Sequence, residues 1–352
     1  MKTQVLVIGG GFAGVAVAQK LAKQGIDTVL VDRKDYFEVT YAVLRDVADP
    51  KQNNGNARQY YQQLLTGRFI HSGVQQLSHN SAMLENGDSI HFEKVVIASG
   101  SSYPSLPLAK SSNAISIDAR NQELHQYHQQ LQTAKQVLII GGGVVGVELA
   151  GEIAYAMPTT NVTLAHNGHA LLDGFRSKAQ AKALAQLQRL GVEVKFNARY
   201  QQQGEHYVDS NSGDVLRPDV AFAATGVRPN NQFLQQQFAH TLNPQGLVKV
   251  DKQLSVIGQD NFYALGDIAD VGEAKLGYLA LEQGNYLGKR ISNQLKGKRS
   301  KGYSRHPFMA LVPTGQETGV AQLPFITTTW RTLLNMKQKD LFISKTFNEL
   351  SH

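Results

Sequence analysis

Two short glycine-rich segments carry the chemistry that residue type and spacing make readable, Gly9-x-Gly11-x-x-Gly14 and Gly141-x-Gly143-x-x-Gly146. In such a turn the first glycine permits a tight passage from strand to helix. The second lets the backbone approach a pyrophosphate with no side chain between them, and the third lets the helix lie close on the strand. The pyrophosphate then faces a helix N-terminus, whose free N–H groups and dipole favour negative charge. Behind the first turn, Asp32 ends the next apolar run, placed to accept hydrogen bonds from ribose hydroxyls. Behind the second stand Ala165 and His166, with no carboxylate, and Asn167, Gly168 and His169 supply no Arg for a 2′-phosphate. The chain is therefore expected to hold two dinucleotides, the second site leaning slightly to NADH.

The elements around these turns follow from short apolar runs and their stops. Val5–Ile8 reads as a buried parallel strand, Phe12 to Gln24 as a helix ended by Gly25, and Thr28–Val31 as the next strand. Gln136–Ile140, a helix over Val147 to Ala156 and the strand Asn161–Ala165 repeat that unit. A duplication at this distance means two nucleotide domains rather than a solenoid. Between the units, Arg58 to Phe92 reads as hairpin material with turns at Asn80-Ser81 and Asn86-Gly87-Asp88, and Lys94–Ala98 as a further buried strand. Downstream come a helix over Arg176 to Leu190 and strands over Asp219–Ala224 and Asn261–Leu265. Phe308–Pro313 and Val320–Phe325 predict a hairpin, followed by a helix over about 327–338 and an apolar piece at Leu341–Ile343. The expected fold is α/β, two Rossmann-like dinucleotide-binding domains plus a small C-terminal α+β domain. The first domain is discontinuous, over 1–118 and 246–300; the second covers 119–245 and the third 301–352.

Composition excludes whole classes of mechanism. The 352 residues contain no Cys, which removes disulfide frameworks, thiolate metal sites and every redox-active thiol. Eleven His residues show no metal spacing, and His125 and His128 sit on a polar Gln-rich helix, so no metal is expected. No GxSxG elbow supports a Ser nucleophile. The net charge of +7 is uneven: no Asp or Glu falls between Glu282 and Glu317, where Lys289, Arg290, Lys296, Lys298, Arg299, Lys301 and Arg305 lie. This run reads either as a solvated face or as a contact for a polyanion such as anionic lipid. No nucleic-acid motif accompanies it. The N-terminal apolar run ends in glycines rather than a cleavage pattern, and no stretch is long enough to span a membrane. A cytoplasmic location is the expectation, with peripheral contact at the inner face of the membrane as its extension.

The two turns, Val96-Ile-Ala-Ser-Gly100, Ala224-Thr-Gly-Val-Arg-Pro-Asn230 and Tyr263-Ala-Leu-Gly-Asp-Ile-Ala-Asp270 resemble the two-dinucleotide flavoprotein superfamily. Val31-Asp-Arg-Lys-Asp-Tyr-Phe37, Val43-Leu-Arg45, Gly143-Val-Val-Gly-Val-Glu-Leu-Ala150 and Lys339-Asp-Leu-Phe-Ile343 resemble its apoptosis-inducing-factor-like branch of NAD(P)H:quinone oxidoreductases, related to type II NADH dehydrogenases. The resemblance covers nearly the whole chain. It implies FAD at Gly9, Gly11, Gly14 and Asp32, with Asp267 of Gly266-Asp267 on the ribityl chain. It implies Ala98, Ser99 and Gly100 closing over the flavin nucleotide, Ser standing where Thr is usual. Lys34 and Arg45 match positions near the adenosine and pyrophosphate, and Lys110 matches a flavin-proximal Lys. On the other side it implies NAD(P)H at Gly141, Gly143, Gly146 and Gly226. Glu148 points toward nicotinamide and flavin as the catalytic positioning group.

The implied reaction is hydride transfer from NAD(P)H to FAD, then electrons to an acceptor. Without Cys the acceptor is a quinone, an electron-carrier protein or O₂. The resemblance favours a quinone. The rival readings are a reductase of a small carrier protein docked on the basic run, and a slow redox-responsive binding protein. Trp330, Leu333, Leu334 and Met336, beside Arg331, Lys337 and Lys339, would rest on an anionic membrane or form a core or homodimer contact.

Overall fold

The computed structural model describes residues 1–52 and 56–351. Six strands, β1 (Lys2–Ile8), β2 (Thr28–Asp32), β3 (Arg68–His71), β4 (Val74–Leu77), β5 (Ser81–Leu84) and β6 (Ser89–Ile97), form one sheet in the order β3-β2-β1-β6-β5-β4. The strand Phe262–Ala264 lies parallel to the last third of β6. Parallel neighbours flank β1 on both sides, with Val7 opposite Leu30 and Val96, which is why Val5, Leu6 and Val7 form an unbroken apolar run and are fully buried. The second sheet, β7 (Gln136–Ile140), β8 (Asn161–Ala165), β9 (Glu193–Lys195) and β10 (Val220–Ala223), is wholly parallel in the order β9-β8-β7-β10. It reproduces the order β3-β2-β1-β6 of the first.

Helices α1 (Phe12–Ala22), α2 (Val43–Ala48), α3 (Ile117–Thr133), α4 (Val144–Ala156), α5 (Ser177–Arg189), α6 (Gly277–Leu295), α7 (Arg331–Gln338) and α8 (Ile343–Ser351) complete the framework. Small residues let α1 and α6 meet at backbone distance, since a Cβ at Gly284 would lie 2.6 Å from the Ala13 carbonyl oxygen. Segments outside the two sheets stitch the units together. Val43, Leu44 and Val47 of α2 join the second core; Val312 and Val320 also lie there, whereas Leu341, Ile343 and Leu350 lie in the first. Arg120 of α3, fully buried, pairs with Glu38 and Glu123 and donates to the carbonyls of Pro107 and Leu108, pinning the loop that carries Lys110.

Four local expectations are revised. Arg68–His71 is a parallel strand on β2 rather than hairpin material, whereas β4, β5 and β6 do form the antiparallel meander. Lys94–Ile97 continues a strand begun at Ser89, so one strand serves the meander and the parallel sheet in turn. Thr327 and Thr328 form a third strand beside the C-terminal hairpin (Ala310–Pro313 with Gly319–Gln322), and the helix starts only at Arg331. The closing apolar piece opens α8, separated from α7 because Leu341 and Phe342 have φ of 50° and 55°. No described helix is long and apolar enough to cross a membrane.

The glycine turns show two different constraints. A Cβ at Gly14 would overlap the Gly9 carbonyl oxygen, and one at Gly146 the Gly141 carbonyl oxygen, whereas Cβ atoms at Gly11 and Gly143 would meet nothing. Gly14→Ala is therefore expected to destabilise the fold by about 3 kcal/mol through overpacking. Gly11→Ala, at φ −72°, should stay within about 1 kcal/mol of the parent. Thermal melts followed by circular dichroism separate the two, and equal melting temperatures would refute the distinction.

Candidate functional site

Each glycine turn is closed by the end of a neighbouring strand. A Cβ on Gly141 (φ 118°) would approach the Ala224 carbonyl oxygen to 2.5 Å, and Gly9 (φ 103°) is blocked in the same way by Ala98. Ala98-Ser99-Gly100 and Ala224-Thr225-Gly226 thus occupy equivalent places in the two units. They are also tied to one another. Ser99 Oγ donates to the Asn230 carbonyl at 2.7 Å, Asn230 Nδ2 returns a bond to the Ser99 carbonyl at 2.8 Å, and Asn230 N reaches the Gly100 carbonyl at 3.0 Å. The Ser99 hydroxyl is therefore held as an inter-unit clasp. Gly226, at φ 79° with open space beside it, lies on the same strap.

The first turn fits a flavin dinucleotide. Gly11 caps α1 without any side-chain hydrogen bond, and the space beyond it is open, so the first amides of α1 face a cradle that a Cβ would partly fill. Asp32 is oriented by its own backbone surroundings: Oδ2 accepts from Gly10 N at 2.6 Å and Oδ1 from Lys34 N at 2.8 Å. Burial pushes the Asp32 carboxyl up, and these two bonds oppose it. Lys34 lies over the Tyr36 ring at 5.3 Å; burial lowers its ammonium, against Glu38, which raises it. Gly266, at φ 75°, lies against Ala13 of α1 and donates its N–H to Gln283. Beside it Asp267 Oδ2 accepts from Lys110 Nζ at 2.8 Å and from Ser101 Oγ at 2.7 Å. Burial would raise this carboxyl, but Lys110, Ser101 and Lys275 together hold it below its ordinary value. Lys110 and Asp267, distant in sequence, are thus brought into one group.

The second turn repeats the first with one exchange. Gly143 caps α4 with no side chain and open space beyond. His166 stands where Asp32 stands, and its Nδ1 accepts from Gly142 N at 3.2 Å as Asp32 accepts from Gly10. That bond leaves the proton on Nε2, which is buried and faces Asp173 Oδ2 at 3.4 Å. A carboxylate seven residues further along is therefore present at this strand end, although residue order alone shows none.

Two site residues have buried partners that their own sequence neighbourhoods do not show. Arg45, expected near the adenosine and pyrophosphate, is 3% exposed, makes a bidentate pair with Glu152 of α4 (shortest distance 2.8 Å) and donates to the Gln338 carbonyl at 2.7 Å. Nε and both terminal nitrogens of the guanidinium are thus engaged within the protein. Glu148, expected to point toward nicotinamide and flavin as a positioning group, is buried, and its Oε1 accepts from Lys337 Nζ of α7 at 2.9 Å. Burial pushes the Glu148 carboxyl up, with Lys337 opposing. Lys337 also donates to the Leu311 carbonyl and lies 5.7 Å from the Tyr41 ring, which stacks on Phe12 at the start of α1. Tyr103, between the two units, is raised by burial and by the carboxylates of both Asp267 and Glu148. Glu148 and Lys337 thus sit between the two turns. Lys337 was readable only as one cation of an amphipathic segment; nothing local marks its partner 189 residues away.

Removing one member of this buried pair leaves an unpaired charge, which costs about 3–5 kcal/mol. Lys337→Met is expected to lose that much stability, while Lys337→Met with Glu148→Gln recovers most of it. Urea unfolding of the four proteins of the cycle gives the coupling, and additive losses would show that the pair is not coupled.

Residues 3–284 match the pyridine nucleotide-disulphide oxidoreductase family. Ferroptosis suppressor protein 1 of Xenopus tropicalis is 31% identical, over 99% of this chain and 96% of the relative. The Homo sapiens protein of the same name is 28% identical over 98% and 95%. Apoptosis-inducing factor homolog A of Dictyostelium discoideum is 29% identical over 92% and 85%. Among solved structures, reduced Bacillus anthracis CoADR-RHD aligns with a TM-score of 0.74 at 18% identity, over 96% of this chain. A NAD-dependent persulfide reductase from A. fulgidus aligns with a TM-score of 0.74 at 19%, over 91%. This chain spans 63% of the length of each, and at these identities the likeness concerns the fold. The chain belongs to the pyridine nucleotide-disulphide oxidoreductase family, in the branch of ferroptosis suppressor protein 1 and the apoptosis-inducing factor homologues, and its cofactors are FAD and NAD(P)H.

Proposed function

We propose that this oxidoreductase is an NAD(P)H:quinone oxidoreductase. The observation that carries the reading is the buried Lys337–Glu148 pair beside the Tyr41 and Phe12 rings, in a chain that has no thiol to take electrons. FAD, when bound, supplies the acceptance of hydride from the nicotinamide and the release of electrons to a second substrate. A quinone gains negative charge on its oxygens as it is reduced. The Lys337 ammonium, desolvated and fixed by Glu148 and the Leu311 carbonyl, offsets such charge and holds a proton at Nζ. The aromatic pair offers an apolar wall for the ring. Gly9, Gly11, Gly14, Asp32, Lys34, Ala98, Ser99, Gly100, Lys110, Gly266 and Asp267 take the flavin side. Gly141, Gly143, Gly146 and Gly226 take the nicotinamide side.

Steady-state oxidation of NADH by the holoprotein with a water-soluble ubiquinone or menaquinone analogue tests the acceptor. A rate no higher than the oxygen background would sink the proposal. In the Lys337→Met/Glu148→Gln protein, kcat with the quinone is expected to fall about a hundredfold. The rate of flavin reduction by NADH in stopped flow should stay within a few-fold.

Asp173 beside His166 supports NADH at the second site, since a carboxylate repels a 2′-phosphate. His166→Asp places that charge where the first unit has it. The KM for NADPH should rise by about tenfold or more through like-charge repulsion, with the KM for NADH little changed. Parallel rises for both nucleotides would show a purely structural role.

A further inference from the structure

We propose that the turn Leu323–Ile326 and the outer side of α7 form a docking surface for an anionic phospholipid bilayer. Phe325 is 99% exposed, Trp330 67% and Met336 61%, with Ile326 beside them also exposed. A soluble surface scatters such side chains singly; here they gather on one short stretch. Phe325 and Trp330 are five residues apart, at most about 17 Å of chain. Met336 follows six residues after Trp330 along the helix, about 9 Å.

The frame that presents them is held by hydrogen bonds on both sides of the tip. Leu323 N donates to the Ile326 carbonyl at 2.8 Å, closing the turn. Arg176 reaches across from the start of α5 and donates to the carbonyls of Leu323 and Pro324. Trp330 N donates to Thr328 Oγ1 at 3.1 Å, and Thr327 and Thr328, between the exposed ends, are buried in the strand that pairs with Gln322 and Ala321. The carbonyls of Leu323, Pro324 and Ile326 therefore already have partners and can leave water without being stranded, which an apolar contact with lipid requires.

Charge identifies the occupant. No acidic residue lies between Glu317 and Asp340, and Arg331 and Lys339 are exposed within that interval. Arg176 and Lys178 add cations from α5. An apolar tip held by Arg176, with Arg331 next to the Trp at its edge, fits the boundary between acyl chains and anionic headgroups. The inner side of α7 carries Lys337 to Glu148. One helix would thus touch both the bilayer and the site where we place the acceptor. The surface itself does not depend on the quinone reading.

Trp330 is the only tryptophan of the chain, so its emission reports this surface directly. Adding mixed phosphatidylglycerol–phosphatidylcholine vesicles to the holoprotein, without nicotinamide or quinone, should shift that emission to shorter wavelength. Brominated acyl chains should quench it, and the protein should sediment with the vesicles. Phe325→Ser/Ile326→Ser, which keeps the reporter, should weaken binding about tenfold or more, and Arg331→Gln about fivefold. Both variants should oxidise NADH with a water-soluble quinone at the parental rate. Unchanged Trp330 emission with anionic vesicles would overturn the proposal. So would a vesicle-free dimer that buries Trp330 and is lost in Phe325→Ser/Ile326→Ser, since a second copy would then cover the face. Because binding is read without an acceptor, its failure is separable from failure of quinone turnover.

Discussion

Glu148 and Glu152 stand one turn apart on α4, both buried, and a buried carboxylate stays charged only beside a cation. Neither cation comes from the unit that carries the glutamates. Arg45 arrives from α2, in the chain of the first glycine turn, and Lys337 from α7, near the C-terminus. Arg45 also donates to the carbonyl of Gln338, the residue after Lys337, so the two pairs form one connected group. Losing one partner of such a pair costs about 3–5 kcal/mol, a large part of the ~5–15 kcal/mol that holds a domain folded. These four side chains thus join both glycine-turn units and α7 in one buried group, beside the clasp of Ser99 and Asn230. The site exists only where all three segments meet.

Duplication explains the rest of the architecture, and the divergence between the copies is informative. Both copies keep an uncapped helix start behind an open glycine, and both have an alanine carbonyl pressed on the first glycine of the turn. Both use the strand-end side chain to accept from the turn's middle amide. Steric demands of the turn fix these features whatever nucleotide is held. What differs is the group offered outward: a carboxylate in the first copy, an imidazole backed by Asp173 in the second. The scaffold is conserved between copies by packing, and the reading of the ribose is free to change.

What was legible in the chain was local. Gln136–Ile140 and Asn161–Ala165 read with correct ends because an apolar run of β-branched residues stops abruptly at glycine or a polar residue. The glycine turns were legible because sterics allow no other residue at Gly14 or Gly146. Arg68–His71 was misread because its turn-rich surroundings imitate a hairpin, while its partner strand lies some forty residues earlier. Helix α8 was hidden because Leu341 and Phe342 take positive φ, a conformation that apolar L-residues seldom adopt and that residue type does not announce. The pairs Arg45–Glu152 and Lys337–Glu148 join residues 107 and 189 apart. A lone cation in a sequence carries no sign of its partner, so the roles of Arg45 and Lys337 emerged only from the packed molecule.

The C-terminal segment is where these separations matter most. Its hairpin lies on the second unit: a Cβ at Gly151 of α4 would approach Gly315 N to 2.5 Å, and Thr314 donates to Gln186 of α5. Its last helix lies on the first unit, Gln19 of α1 donating to the Leu350 carbonyl and the Tyr41 hydroxyl bonding Thr346. Helix α7 is strung between these anchors, and its position follows from both. A segment anchored to both nucleotide units cannot shift without disturbing Lys337, and through it Glu148. The exposed side of α7 is therefore continuous through one helix with a buried charge pair of the site. Whatever covers Trp330 acts on a helix whose inner side already holds that charge in place.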